Sequence, residues 1–147
     1  MSVIEHEVFF ERPVEEVFPY VGDPEAFPEW QDGFLESEIT SEGPLGVGSI
    51  YRAVHDFAGR RIEVVNEVTA YIPNKSFAFK SISGNLEVTG GITLQPTRGG
   101  TKLMARFEAQ VGGLFRLAEP LAARIIKRQQ QADWEKLKIL MKTGPDE

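Results

Sequence analysis

A chain of 147 residues, 41% hydrophobic, 26% charged and 10% aromatic, makes one domain with enough apolar material to bury a core, which excludes wholesale disorder. Sixteen Lys and Arg against twenty-two Asp and Glu leave a net charge of −6, the wrong sign for a general nucleic-acid binder. Cysteine is absent, which excludes disulfides, thiolate metal sites and cysteine nucleophiles, and no apolar run approaches the ~18 residues of a membrane span.

The N-terminal residues Met1 to Glu7 carry neither a basic nor an apolar leader segment, so no secretory signal is expected and the expected location is the cytoplasm. Val3 to Glu11 alternates as a strand, with Ile4, His6, Val8 and Phe10 on one face. Pro13 then opens a short helix to Val21. Its acids Glu15 and Glu16 suit the helix N-terminus, and Val14, Val17, Phe18 and Val21 recur at helical spacing. Asp23-Pro24-Glu25 starts a second short helix, which Pro28 is expected to end.

From Phe34 the period becomes two. Strands are predicted at about Phe34 to Thr40, Val47 to Phe57, Arg60 to Ile72, Ser76 to Ser83, Leu86 to Gln95 and Thr101 to Val111. Gly and Pro turns separate them, and such short connections make antiparallel neighbours. Leu114 to Lys142 returns to helical spacing, ~40 Å at ~1.5 Å per residue, with an expected kink at Pro120. Leu114, Ala118, Leu121, Ile125 and Ala132 are read as its apolar side. Arg116, Arg124, Lys127, Gln131, Lys138 and Lys142 are read as a solvated basic face.

The order is strand, two short helices, six-stranded meander, long helix. An antiparallel sheet with one buried face needs a cover, and only the last helix is long enough to supply it. The predicted fold is therefore α+β: a curved seven-stranded antiparallel sheet wrapped around the C-terminal helix, with residues 1–147 as one domain. Space between a curved sheet and a single helix makes a cavity plausible.

Two segments, Phe10-Glu11-Arg12-Pro13-Val14-Glu15-Glu16-Val17-Phe18 and Asp23-Pro24-Glu25-Ala26-Phe27-Pro28-Glu29-Trp30, resemble the N-terminal signature of the START-like (SRPBCC) superfamily. Glu67-Val68-Thr69-Ala70-Tyr71-Ile72-Pro73 and Gly100-Thr101-Lys102-Leu103 are similar to its strand ends. The group holds polyketide cyclases and dehydratases, Bet v 1-type plant proteins and lipid transfer domains. The resemblance covers essentially the whole chain and implies the helix-grip fold. It leaves activity open, because carriers, receptors and enzymes share that fold.

Few residues carry candidate chemistry. Gly43-Pro44-Leu45-Gly46-Val47-Gly48-Ser49 lacks a P-loop ending and opens a strand, so it reads as a turn, placed with Trp30 at the cavity mouth. His55 shares strand parity with Tyr51 and Ala53, which turns it inward as a rim histidine or an acid/base. Adjacent Asp56 points the other way and cannot pair with it. Asn66 is a lone amide in the apolar run Ile62, Val64, Val68, Ala70 and needs a partner: a ligand, a water or a neighbour such as His55. Phe77, Phe79, Leu103 and Phe107 are interior residues that also line a ligand space, with Leu121 and Ile125 facing them from the helix. Small Ala53, Ala70, Ala105, Ala109 and Gly90 leave that interior incompletely filled. Carboxylates such as Glu5, Glu7, Glu36 and Glu38 alternate with apolar residues as an outer face does. Two histidines without cysteine form no readable metal site, and no cofactor is expected.

Three functions follow. The first is binding of a small hydrophobic or amphipathic molecule (a lipid, a polyketide or similar), with Asn66, His55 and Tyr51 orienting its polar end. The second is a polyketide cyclase/dehydratase-like enzyme with His55 as acid/base. The third is a protein-interaction or quinone-associated regulatory module, which predicts an exposed apolar patch at Phe9, Trp134, Leu137 and Met141. Ligand identity and oligomeric state are not legible.

Overall fold

β1 (Ser2–Phe10) leads into α1 (Val14–Val21), a 3-10 turn (Pro24–Ala26) and α2 (Phe27–Trp30). Six strands follow: β2 (Phe34–Ile39), β3 (Ile50–Phe57), β4 (Arg60–Ile72), β5 (Ser76–Ser81), β6 (Leu86–Thr97) and β7 (Gly100–Val111). α3 (Glu119–Lys142) completes the order. The structure, a computed structural model, describes residues 2–57, 59–83, 86–111 and 119–142. The seven strands form one antiparallel sheet ordered β1-β7-β6-β5-β4-β3-β2, which is the predicted meander with β1 added beside β7.

Element ends differ from expectation where turn chemistry intervenes. β3 begins at Ile50 because Gly48 holds a left-handed φ of 93° that a strand does not accept. Pro28 does not end the second helix; it sits in the first turn of α2, where a missing N–H costs nothing. β6 and β7 run on through Pro96 and Thr97 to a two-residue turn at Arg98-Gly99. Residues 114–118 of the predicted long helix lie outside those described, as does the side chain of Pro120.

The two ends of the chain are tied together at one corner. A Cβ on Gly100 would lie 1.9 Å from the Phe10 carbonyl oxygen, so only glycine lets β7 approach β1 there. Thr101 Oγ1 donates to the Arg12 carbonyl at 2.7 Å, and Arg12 Nε donates to the Met141 carbonyl at 3.1 Å. That second bond satisfies one of the free carbonyls at the end of α3.

The helix meets the sheet on a different side from the predicted one. Trp134, Leu137 and Met141 are buried, while Ile125 is 58% exposed and Ala132 is exposed. Ile125 and Leu137 lie twelve residues apart, about 120° round a helix of ~3.6 residues per turn, so both cannot face the sheet. Aromatic packing decides which does: Trp134 lies over Trp30 with ring centroids 4.8 Å apart. One turn earlier, His6 Nε2 donates to Gln130 Oε1 at 2.8 Å. The exposed apolar patch expected at Phe9, Trp134, Leu137 and Met141 is therefore not formed; of the four, only Phe9 on the outer sheet face is exposed.

Burial holds His6 and His55 below the ordinary histidine value of 6.5, although the Gln130 bond partly opposes this at His6. The unfolded chain therefore takes up protons that the folded chain refuses. Stability should be complete above that ordinary value and should fall as pH drops from it through the lowered values. Urea midpoints between pH 7.5 and 5 should fall, and the fall should shrink in a His6→Gln, His55→Gln double variant. A pH-independent midpoint would contradict the assignment.

Candidate functional site

Antiparallel pairing places cross-strand partners on one face, and the register defines the inner face as successive rows. One row runs Ile4, Phe107, Gly90, Phe79, Val68 across β1, β7, β6, β5 and β4. The next runs Ser81, Asn66, Tyr51, Ile39 from β5 to β2. Beyond it lie Val64, Ala53 and Ser37, and then Ile62, His55 and Phe34.

The first row is an aromatic platform. A Cβ on Gly90 would stand 2.5 Å from Phe107 Cδ1 and 2.7 Å from Phe79 Cε1, because the two rings fold toward the space that a side chain would occupy. Both rings remain half-buried rather than sealed. Tyr51 and Phe77 pack beside them, with Tyr51 6.3 Å from Phe79 and 6.4 Å from Phe77 between centroids.

The second row is polar and neutral. The Tyr51 hydroxyl is hydrogen-bonded with the Asn66 amide, so the partner that Asn66 required is Tyr51, not His55. Both residues are buried, and burial pushes the Tyr51 phenol well above its usual range, so it stays protonated. Ser81 Oγ accepts the Val88 N–H at 3.0 Å. Tyr51→Phe and Asn66→Leu should each cost about 1–3 kcal/mol, and the double variant clearly less than the sum, because each single change strands the other partner. Additive losses in a denaturant double-mutant cycle would show that the pair is not coupled.

His55 is half-buried with its ring centroid 4.2 Å from that of Phe34. Burial lowers its pKa, so the ring is neutral near pH 7. Among the described residues no hydrogen-bond partner holds its ring nitrogens. Tyr51 and His55 lie four strand residues apart, about 13 Å at ~3.3 Å per residue, so they can touch one ligand but not each other.

Exposure changes along this face. It is lowest around Tyr51, Ala53, Val68 and Phe77 and rises through Val64 and His55 to Ile62, which is 40% exposed. Trp30, expected at the mouth, is instead buried under Trp134, with its Nε1 donating to the Tyr20 carbonyl at 3.0 Å. The Gly43–Gly48 loop joins the filled end, where the Gly48 N–H donates to the Val68 carbonyl. The inner face thus becomes accessible at the opposite end from the expected one. Leu103 is fully buried, the Leu121 side chain lies outside the described residues, and Ile125 faces away from the sheet.

Two readings of small or polar residues change with the register. A bulge between Val68 and Ala70 turns Ala70 outward, where with Ala78, Gly91 and Met104 it lines an outer-face depression of about 550 Å³. Ser37 was not among the expected site residues; it pairs with the inward Ala53, and its Oγ is buried without a hydrogen-bond partner among the described residues. Its shared parity with Ile39 was the available signal. The outer-face acids are ion-paired: Arg52 is surrounded by Glu36, Glu38 and Glu63 of the neighbouring strands, and Arg106 by Glu5 across the β1–β7 pair and Glu108 on its own strand. Among the described residues no cluster of three His, Asp or Glu side chains could hold a metal, and no helix is long and apolar enough to cross a membrane.

A curved antiparallel sheet gripping one long C-terminal helix, with two short helices after the first strand, defines a START-like, Bet v 1-type helix-grip protein. Solved structures of that class superpose on it. A START superfamily protein from Mycobacterium smegmatis matches with TM-score 0.79 at 16% identity, over 92% of this chain and 94% of that one. An aromatase/cyclase from a Streptomyces species matches with TM-score 0.76 at 17% identity, over 93% and 91%. Ara h 8.0201 matches with TM-score 0.70 at 18% identity, over 93% and 95%. Residues 1–142 match the polyketide cyclase / dehydrase and lipid transport family, and the chain belongs to it. No curated protein matches it in sequence.

Proposed function

We propose that this protein binds a small hydrophobic or amphipathic molecule, a lipid, a polyketide or similar, between the inner face of its sheet and α3. The observation that carries this reading is the half-buried Phe79–Phe107 platform lying one row from the Tyr51–Asn66 pair. Such a surface offers apolar burial at roughly 25 cal/mol per Å² next to a few fixed polar groups, the composition of small-molecule sites. Native mass spectrometry of protein purified gently from its own cells tests it. A reproducible extra mass below about 1 kDa, lost on denaturation, is expected, the size that small-molecule sites take. A clean apo mass, together with no uptake of added lipids, would contradict it.

A second reading is a cyclase/dehydratase-like enzyme in the same space. It is favoured by His55, a neutral imidazole on the accessible part of the inner face, in the state a general base requires. His55→Ala would then abolish turnover of a polyketide substrate while retaining binding. Unchanged turnover would remove His55 from any mechanism.

A further inference from the structure

We infer that the bound molecule presents an uncharged oxygen, a hydroxyl or a carbonyl, to Ser37 on β2, and that the site discriminates against anionic lipids of the same chain length. This rests on the binding role proposed above and specifies the chemistry of its ligand.

Ser37 Oγ is buried and has no hydrogen-bond partner among the described residues. Folded chains leave few such atoms unpaired, so a donor or acceptor from outside the chain is the natural complement. Ser37 faces the methyl of Ala53, which is fully buried and cannot supply one. Among the described residues two other buried side-chain atoms share this condition, Thr97 Oγ1 by the β6–β7 turn and Trp134 Nε1 in the tryptophan stack; neither belongs to the inner face of β2–β5.

The surroundings of Ser37 select against charge. Tyr51 and His55 stand in the two flanking rows along β3, and Asn66 and Ser81 extend the polar surface. Every one of these groups is neutral near pH 7. Of the charged residues of the same strands, Glu36, Glu38, Arg52, Glu63, Glu67 and Lys80 alternate to the outer face and pair with one another there, whereas Arg60, opposite Phe57, shares the inner face two rows from Ser37. An alcohol or ketone entering this face exchanges its water hydrogen bonds for Ser37 and its neighbours. A carboxylate or phosphate placed at Ser37 loses its hydration and meets neutral groups in its own and the adjoining rows, since the inner-face Arg60 stands two rows away at the exposed end, and that is the costlier exchange.

The test is competition against the neutral fluorophore N-phenylnaphthylamine by dodecanol and by dodecanoate, at a pH where the acid is ionised. Dodecanol is expected to compete at concentrations at least about tenfold lower than dodecanoate. Ser37→Ala should weaken dodecanol severalfold, leave the fluorophore's affinity unchanged, and keep or raise the melting temperature, because it deletes a hydroxyl that the apo fold leaves unpaired. Equal or better competition by dodecanoate, or full dodecanol affinity in Ser37→Ala, would overturn the inference while leaving the binding role intact. Failure of the fluorophore and of both lipids to bind would overturn the binding role, and the inference with it.

Discussion

Trp134→Ala should lower the unfolding free energy by about 3–5 kcal/mol, the largest loss expected of any single truncation in α3. Trp134 is 5% exposed, lies over Trp30 at 4.8 Å, and meets the His6 ring edge-on at 6.1 Å. Removing the indole deletes both contacts and leaves a cavity between α2, β1 and α3 that backbone relaxation fills only in part. Its Nε1 has no hydrogen-bond partner among the described residues, so the cost is one of packing. The same change should loosen the hold of α3 on the sheet, with amide exchange faster at residues 130–141 than in β4. A loss below about 1 kcal/mol would mean that the tryptophan stack does not dock the helix.

Gly90→Ala is the second large effect, and it separates binding from stability. The new Cβ would stand 2.5 Å from Phe107 and 2.7 Å from Phe79, closer than van der Waals contact allows, so both rings must swing off the platform. Overpacking of this kind costs about 1–3 kcal/mol. Ligand affinity should fall further than a stability loss explains, by about tenfold or more, because the rings that move are those proposed to hold the apolar body. Gly91→Ala is the control: its Cβ would point to the outer face at 3.1 Å from Ala78 Cβ, and affinity should be retained. Equal affinity losses in the two variants would remove the Phe79–Phe107 platform from the site.

The architecture was legible because two periods dominate the sequence. Alternation from Phe34 to Val111, cut by short Gly and Pro turns, leaves few options besides a meander, and a long amphipathic segment after it has one sheet face to cover. The polar row was half legible. Asn66 stood out as a lone amide in an apolar run, yet its partner Tyr51 was fixed by β3–β4 register, which a single strand does not reveal. Ala70 was misplaced because one bulged residue reverses the alternation. The helix side was misread because Ile125 and Ala132 look as apolar as the true stripe. Only the size and stacking of Trp134 against Trp30, 104 positions away in sequence, settle the rotation. Ser37 was passed over because a serine flanked by glutamates reads as surface until its strand is paired.

The measurement that tests the central claim most directly is a titration of the ¹⁵N-labelled protein with dodecanol, following backbone amides on both faces of the sheet. Saturable shifts are expected at Ser37, Ala53, Asn66, Phe79, Gly90 and Phe107, with Ala78, Gly91 and Met104 of the outer depression unchanged. Shifts concentrated on the outer-face set, or no saturable shift on either face, would contradict a ligand site inside the grip of the sheet.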